Sequence, residues 1–209
     1  MVLNNITPSL IVTGEGGLGK THTVMETIKE CQLFDFEWTV FKGYSTARGL
    51  YNTLYDNNGK TIIFDDCDSV LEDKVAINIL KSALDSYDKR TITWMAKMNG
   101  GDSYPQQFDF TGQIIFISNK SKDKIDGAIL SRSLTVDLTM TSDEKINRMT
   151  KIIDKILPEY DMDHKLDALN FLSENKEANI NMRTLIMVTK MVKANPVNWK
   201  AMANYMIRG

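Results

Sequence analysis

Eight consecutive residues near the start of the chain, Gly14-Glu15-Gly16-Gly17-Leu18-Gly19-Lys20-Thr21, carry the most specific chemical pattern in the sequence. Glycines at this spacing let a loop turn successive backbone N–H groups inward around a phosphate, and a following helix adds the positive end of its dipole. Lys20 then reaches the β- and γ-phosphates and the Thr21 hydroxyl ligates Mg2+, with His22 next in line in the same binding segment. About 45 residues further on, Thr61-Ile62-Ile63-Phe64-Asp65-Asp66 is an apolar run closed by two acids. Beside a phosphate loop, Asp65 is suited to hold the Mg2+ through water, and Asp66 to polarise a water attacking the γ-phosphate. A third run, Gln113–Asn119 (QIIFISN), ends in an amide. Asn119 would bond the γ-phosphate or that water if its strand lies between the other two. The cofactors this pattern implies are ATP and Mg2+, and the reaction is hydrolysis of ATP to ADP and phosphate.

These groups need a sheet to hold them. Ser9–Thr13, Trp38–Lys42, Thr61–Phe64, Gln113–Ser118 and Leu134–Leu138 are short apolar runs that read as strands. Between them, Lys20–Cys31 and Val70–Leu84 place apolar residues at helical spacing, and Thr46–Tyr55 is a shorter helix stopped by the turn Asp56-Asn57-Asn58-Gly59. Alternation of strand and helix predicts a mostly parallel α/β sheet. Tyr87–Thr111, with Asn99-Gly100-Gly101-Asp102 and Pro105 inside it, reads as a loop or hairpin inserted before the fourth strand. After Thr141 the strands stop. Ser142 opens a capping box with Lys145 in place of the usual acid, and further helices are expected at about 164–174, 182–194 and 196–207. The expected division is an α/β core over 1–140 and a helical domain over 141–209.

Composition narrows the class. The chain has 209 residues, is 43% hydrophobic and 25% charged, and has a formal net charge of -2. That is ordinary for a globular protein with a packed core and provides no overall basic field for nucleic acid. Residues 1–140 hold 14 Lys and Arg against 18 Asp and Glu, while residues 141–209 hold 11 against 9, so the acidic excess lies in the first part. No apolar run approaches the roughly 20 residues of a membrane helix, and the N-terminal residues have no signal-peptide pattern. Cys31 and Cys67 fit no metal spacing and read as reduced thiols, so a cytoplasmic location is expected.

The three motifs in this order, with helices behind them, resemble the AAA+ ATPases of the P-loop NTPase class over roughly residues 8–195. The texture of Phe41–Tyr55 followed by IIFDDCD also resembles compact bacteriophage-encoded ATPases. The AAA+ resemblance implies a sheet of order 5-1-4-3-2, Asn119 as sensor 1, and a C-terminal helical lid. It further implies that Arg132, in Leu130-Ser131-Arg132-Ser133, is an arginine finger reaching the ATP of a neighbouring subunit. Arg183, in Asn181-Met182-Arg183-Thr184-Leu185, corresponds to the sensor 2 arginine of the lid. Three features depart from the family pattern. The acidic pair is Asp-Asp where most members have Asp-Glu, which leaves Asp68 as an alternative acid. About eight residues precede the first strand, where the family places an adenine-contacting segment. After the second strand, Phe41-Lys42-Gly43-Tyr44 fits a core aromatic and a turn better than an aromatic pore loop.

An arginine finger requires subunits that share sites, so a ring-like or helical homo-oligomer is implied, with a hexamer as the expected form. The substrate would be gripped by central loops, with Lys42, Tyr44 and the insertion's Lys89, Arg90, Trp94, Lys97 and Tyr104 as candidate contacts to a single nucleic-acid strand. Two readings stay open. One is a motor that loads, translocates or remodels nucleic acid, or in a variant unfolds protein, with DNA or a replication or recombination protein as partner. The other is an ATP-dependent assembly switch with little turnover.

Overall fold

Four of the five apolar runs alternate strictly between two hydrophobic clusters in the computed structural model, which describes residues 2–4, 6–95 and 104–208. Ile11, Ile62, Phe64, Ile114 and Phe116 point into one cluster, while Val12, Ile63, Ile115 and Ile117 point into the other. A strand buried on both faces belongs in a parallel sheet covered by helices on each side. Contacts divide the chain into two units. The first comprises 1–15 and 20–138, and the second comprises 139–209 together with the loop tip 16–19.

In the first unit the strands are β1 (Ser9–Thr13), β2 (Trp38–Lys42), β3 (Thr61–Asp65), β4 (Thr91–Thr93), β5 (Gln107–Asp109), β6 (Gln113–Ile117) and β7 (Leu134–Asp137). Five form one parallel sheet in the order β2-β3-β6-β1-β7. Counted without the hairpin pair β4 and β5, this is the expected 5-1-4-3-2 order, with the Asn119 strand between the phosphate-loop strand and the Asp65 strand. Helix α1 (Lys20–Glu30) supplies Val24 and Ile28 to the smaller cluster. Helices α2 (Ala47–Asp56) and α3 (Lys74–Ala83) cover the other face with Leu50, Tyr51, Leu54, Ala76, Ile79 and Leu80. Thr46 and Asp73 cap these helices, their side chains accepting from Gly49 N and Ala76 N. A short helix, α4 (Gly127–Leu130), capped by Asp126, precedes β7.

The insertion is an antiparallel hairpin of β4 and β5. Its Trp94, Tyr104 and Phe108 rings turn inward. Tyr51 packs against Trp94 and Phe108, Tyr55 against Tyr104 and Phe108, and the Arg48 guanidinium lies 5.3–5.6 Å from the Tyr51, Trp94 and Tyr104 rings. Arg90 donates to the Ala83 and Gly112 carbonyls, and Lys89 pairs with Asp109 at 3.2 Å. Lys89, Arg90, Trp94 and Tyr104, expected to meet a nucleic-acid strand, are therefore engaged within the unit, because packing the Trp94, Tyr104 and Phe108 rings on α2 outweighs exposing them. Lys97 and Asn99–Asp102 lie outside the described residues.

The second unit contains α5 (Ser142–Ile152), α6 (Met162–Glu174), α7 (Met182–Ala194) and α8 (Trp199–Arg208). Its core joins Met149, Leu169, Leu172, Leu185, Val188, Val192 and Ala203, with Phe171 edge-on to Trp199 at 5.4 Å. The capping box of α5 starts one residue earlier than the sequence suggested. Thr141 accepts from Glu144 N, and the Glu144 carboxylate accepts in return from Thr141 N. This frame supplies the acid that a Ser142 frame lacked. Among the described residues, no helix is long and apolar enough to cross a membrane.

The cap frame gives a direct test. Thr141→Ala should lower the stability of the helical unit by about 1 kcal/mol in chemical denaturation followed by circular dichroism, whereas Ser142→Ala should change it by no more than a few tenths.

Candidate functional site

The parallel register brings three strand ends to one edge of the sheet. Val12 is paired with Ile117, Ile117 with Asp65, and Asp65 with Lys42. Beyond these ends follow Gly14 and Glu15, Asn119, and Asp66, so the three motifs converge at the carboxyl edge, where open α/β sheets place their ligands.

The loop after β1 needs glycine. Gly14, Gly17 and Gly19 have φ values of 135°, 77° and 82°, a region that L side chains rarely adopt. A Cβ on Gly14 would also come within 3.2 Å of the Leu138 backbone. Lys20 opens α1 and is buried. Its ammonium donates to the Gly14 carbonyl at 2.7 Å, the Glu15 carbonyl at 2.8 Å and Asn119 Oδ1 at 2.7 Å. The Asn119 amide nitrogen donates in turn to Asp66 Oδ1 at 2.7 Å. Thus Lys20, Asn119 and Asp66 form one hydrogen-bonded chain, with Asn119 between cation and carboxylate. Asp66 has φ 55°, uncommon for a non-glycine residue, and its N–H donates to the Ile117 carbonyl at 3.0 Å. Backbone outliers of this kind concentrate at functional sites.

Beside that chain, the Thr21 hydroxyl donates to Asp65 Oδ1 at 2.8 Å, and Lys42 Nζ lies 2.9 Å from Asp65 Oδ2. A hydroxyl and a carboxylate side by side are hard oxygen donors of the kind Mg2+ takes, and an ammonium already pairs with the carboxylate as a cation would. No group of three or more His, Cys, Asp or Glu side chains forms a metal cage among the described residues. A metal held by one hydroxyl, one acid, waters and phosphate oxygens fits this donor set.

Two neighbouring charged residues, Asp68 and Lys42, are engaged at this edge. Asp68 accepts from the Ser118 hydroxyl at 2.5 Å and so ties β6 to the turn after β3, which occupies one carboxylate oxygen of the alternative acid. Lys42 was read from sequence only as a substrate contact. Its link to Asp65 is readable from two equal five-residue runs, WTVFK and TIIFD, whose last residues pair if the strands are parallel neighbours. The Asp65 carboxylate, by hydrogen bond and charge, holds the Lys42 ammonium above its ordinary pKa, with a smaller contribution from Asp66. Cys67 is buried, its Sγ donating to the Phe41 carbonyl. Burial, reinforced by the charges of Asp65, Asp66 and Asp68, pushes its thiol up to about 11.

The remaining sequence candidates lie elsewhere. His22 is exposed on the first turn of α1. Arg132 precedes β7 at the opposite, amino-terminal edge of the sheet, where its carbonyl accepts from the Ser9 hydroxyl at 3.5 Å. Its Nη1 donates to the Ala128 carbonyl at 3.0 Å, while its Nε is buried with no hydrogen-bond partner among the described residues. Arg183 is exposed in the first turn of α7, a helix capped by Asn181, whose Oδ1 accepts from Arg183 N and Thr184 N. Phe41 packs against the core, and Tyr44 is 82% exposed.

A five-stranded parallel sheet in this order, with a glycine-rich loop between β1 and α1, acids closing β3 and an amide after β6, has the fold of solved RuvB and FIGL-1 AAA structures. Among solved structures, the chain is similar to a Thermotoga maritima RuvB mutant. The TM-score is 0.62 and the identity 15%, over 95% of this chain and 62% of that one. A second RuvB structure, titled a Holliday junction branch migration motor, matches with a TM-score of 0.58 at 16% identity, over 90% of this chain and 54% of that one. The FIGL-1 AAA domain matches with a TM-score of 0.57 at 14% identity, over 97% and 72%. The chain thus spans less than two thirds of the RuvB chains it matches. In sequence it is 26% identical over 226 aligned residues to an uncharacterized 36.7 kDa protein from the nrdC-mobD intergenic region of Enterobacteria phage T4, covering 97% of this chain and 69% of that protein. No protein-family model matches.

The thiols offer a check on this local geometry. At pH 8 the Cys67 thiolate fraction is on the order of one in a thousand, so the exposed Cys31 should react with a thiol reagent in the native protein and Cys67 only after unfolding. Because the folded state raises this pKa, the stability it contributes is complete below about pH 9 and is lost as pH rises through about 11. Rapid native labelling of both thiols would contradict the buried placement.

Proposed function

We propose that this chain is an AAA+ ATPase that binds and hydrolyses Mg-ATP at the subunit interfaces of a ring-like homo-oligomer, expected to be a hexamer. The observation that carries the reading is the Lys20–Asn119–Asp66 chain beside the Thr21–Asp65 pair, on a sheet of AAA+ order. The loop Gly14–Thr21 with His22 holds the phosphates, and Thr21 and Asp65 hold the metal. Held by Thr21 and Asp65, Mg2+ would neutralise negative charge developing on the phosphate oxygens. Asp66 orients and deprotonates the attacking water, and Asn119 fixes the Asp66 carboxylate and would bond the γ-phosphate or that water. Residues 141–209 are the lid, with Arg183 as its nucleotide-sensing arginine.

Arg132 acts in trans. It lies level with Ser9, five strand residues before Gly14, so about 17 Å of β1 separates it from the phosphate loop of its own chain. The task we assign to the oligomer is nucleic-acid translocation, loading or remodelling in phage or mobile-element DNA metabolism. Support comes from the branch-migration motor among the structural neighbours and the phage T4 relative. A DNA strand or a replication or recombination protein is the expected partner. A second reading, an assembly switch with little turnover, is favoured by Asp66 itself, one methylene shorter than Glu and already bonded to Asn119.

Lys20→Ala should abolish binding of a fluorescent ATP analogue. Arg132→Ala should bind it within about threefold of wild type yet lose at least about 10³-fold in hydrolysis. Mixing these two inactive variants one to one should restore about a quarter of wild-type turnover, because a random interface pairs an intact loop with an intact Arg132 in that proportion. No recovery from co-assembled variants would rule out action in trans. Stimulation of wild type by single-stranded DNA supports the motor, and tight binding without turnover supports the switch.

A further inference from the structure

The contact between Lys42 and Asp65 is not explained by nucleotide binding. Asp65 is 3% exposed, and a buried carboxylate with a hydroxyl as its partner is poorly compensated. The parallel register sets Lys42, the last residue of β2, directly opposite Asp65, and its ammonium closes on Oδ2 while Thr21 occupies Oδ1. The lysine side chain is itself 66% exposed, so it approaches from solvent on a flexible stem and leaves without disturbing the core. The backbone around it is secured independently. Gly43 N donates to the Asp65 carbonyl at 3.4 Å, Ser45 N donates to Ser69 Oγ at 3.1 Å, and Ser69 Oγ donates back to the Ser45 carbonyl at 3.0 Å. The ammonium is thus not needed to position β2 against β3, and its partner is the carboxylate read above as the metal acid.

We propose that Lys42 is a positioning residue that holds the Asp65 carboxylate as a surrogate cation and yields it to Mg2+ when metal-nucleotide enters. The inference rests on the reading of Thr21 and Asp65 as the metal pair. The Lys42 ammonium and a divalent ion with its bound waters cannot both occupy the space at Oδ2, so Lys42 competes with the metal, keeps the Asp65 carboxylate oriented in its absence, and sets the metal concentration at which the site fills.

The test titrates Mn2+ into full-length protein saturated with ADP and reads free Mn2+ by electron paramagnetic resonance, which needs no turnover. Lys42→Met should lower the half-saturating Mn2+ concentration by about fivefold or more, Lys42→Arg should stay within about twofold of wild type, and ADP affinity in EDTA should be unchanged in both. In EDTA without nucleotide, Lys42→Met should melt a few degrees below wild type, and that difference should disappear in an Asp65→Asn background. An unmoved or raised Mn2+ midpoint in Lys42→Met overturns the proposal, as does a loss of ADP affinity in EDTA, which would make Lys42 a phosphate ligand. If wild type itself binds neither ADP nor Mn2+, the nucleotide-site reading fails and Lys42 loses its role with it. That result is distinct from a wild type that binds both and a Lys42→Met protein that titrates identically.

Discussion

The parallel register of β1, β6 and β3 is the constraint on which everything else in the first unit depends. Side chains of a strand alternate between faces, so slipping β3 by one residue against β6 would send Phe64 and Ile63 to the wrong clusters and move Asp65 away from Thr21. The same ladder that buries the isoleucines therefore fixes the separation of Lys20, Asn119, Asp65 and Asp66. Hydrophobic patterning and site geometry are one requirement here. The Phe64 and Phe116 rings, stacked at 5.7 Å in the row below the strand ends, pin the register where it matters.

Charge at this edge alternates instead of accumulating. Lys20 faces Asp66 through the Asn119 amide, and Lys42 faces Asp65 directly. The amide is the informative choice. Its carbonyl accepts from the cation and its nitrogen donates to the carboxylate, so a single neutral side chain satisfies both partners and keeps them apart. A carboxylate in its place would repel Asp66, and a hydroxyl is too short to reach both. The left-handed turn at Asp66 ends the strand pattern where Asp65 goes inward and Asp66 outward. Two adjacent acids thereby acquire unlike surroundings, one buried against Thr21 and one exposed beside Asn119.

Much of the fold was legible because the sheet is buried on both faces. Continuous apolar runs such as SLIVT and QIIFI are short, unmistakably strand-like and bounded by turn residues, and their ends fell within one residue of the structure. That the glycines after β1, Asp65, Asp66 and Asn119 lie together was legible because each stands at or just beyond the end of such a run. What escaped was one local cap and several contacts distant in sequence. The α5 cap was placed one residue late because Thr141 and Ser142 are both capable caps, and only the Glu144 carboxylate returning to Thr141 N distinguishes them. Trp94 and Tyr104 looked like surface stacking groups because nothing local in the insertion shows that Tyr51 and Tyr55, some 40 to 50 residues away, form the surface that receives them. Lys42 required knowing that β2 and β3 are parallel neighbours in register.

The segment leaving β2 ties these points together. Phe41 packs into the core and its carbonyl accepts from Cys67, Lys42 pairs with Asp65, Gly43 turns with φ 90°, and Tyr44 emerges 82% exposed. The residues on either side of Tyr44 bond to the turn that follows the acids, at Asp65 and Ser69. An exposed aromatic is thus mounted on a short backbone anchored at the Asp65 carbonyl and at Ser69. Any change in what Asp65 binds acts within one or two residues of Tyr44, with no intervening loop to absorb it. The hairpin, by contrast, spends its aromatics on α2 and has no such connection to the acids among its contacts with Arg48, Tyr51 and Tyr55. Of the two surfaces that sequence offered for a substrate, the Tyr44 turn is the one whose position is mechanically tied to Asp65 at the carboxyl edge of the sheet.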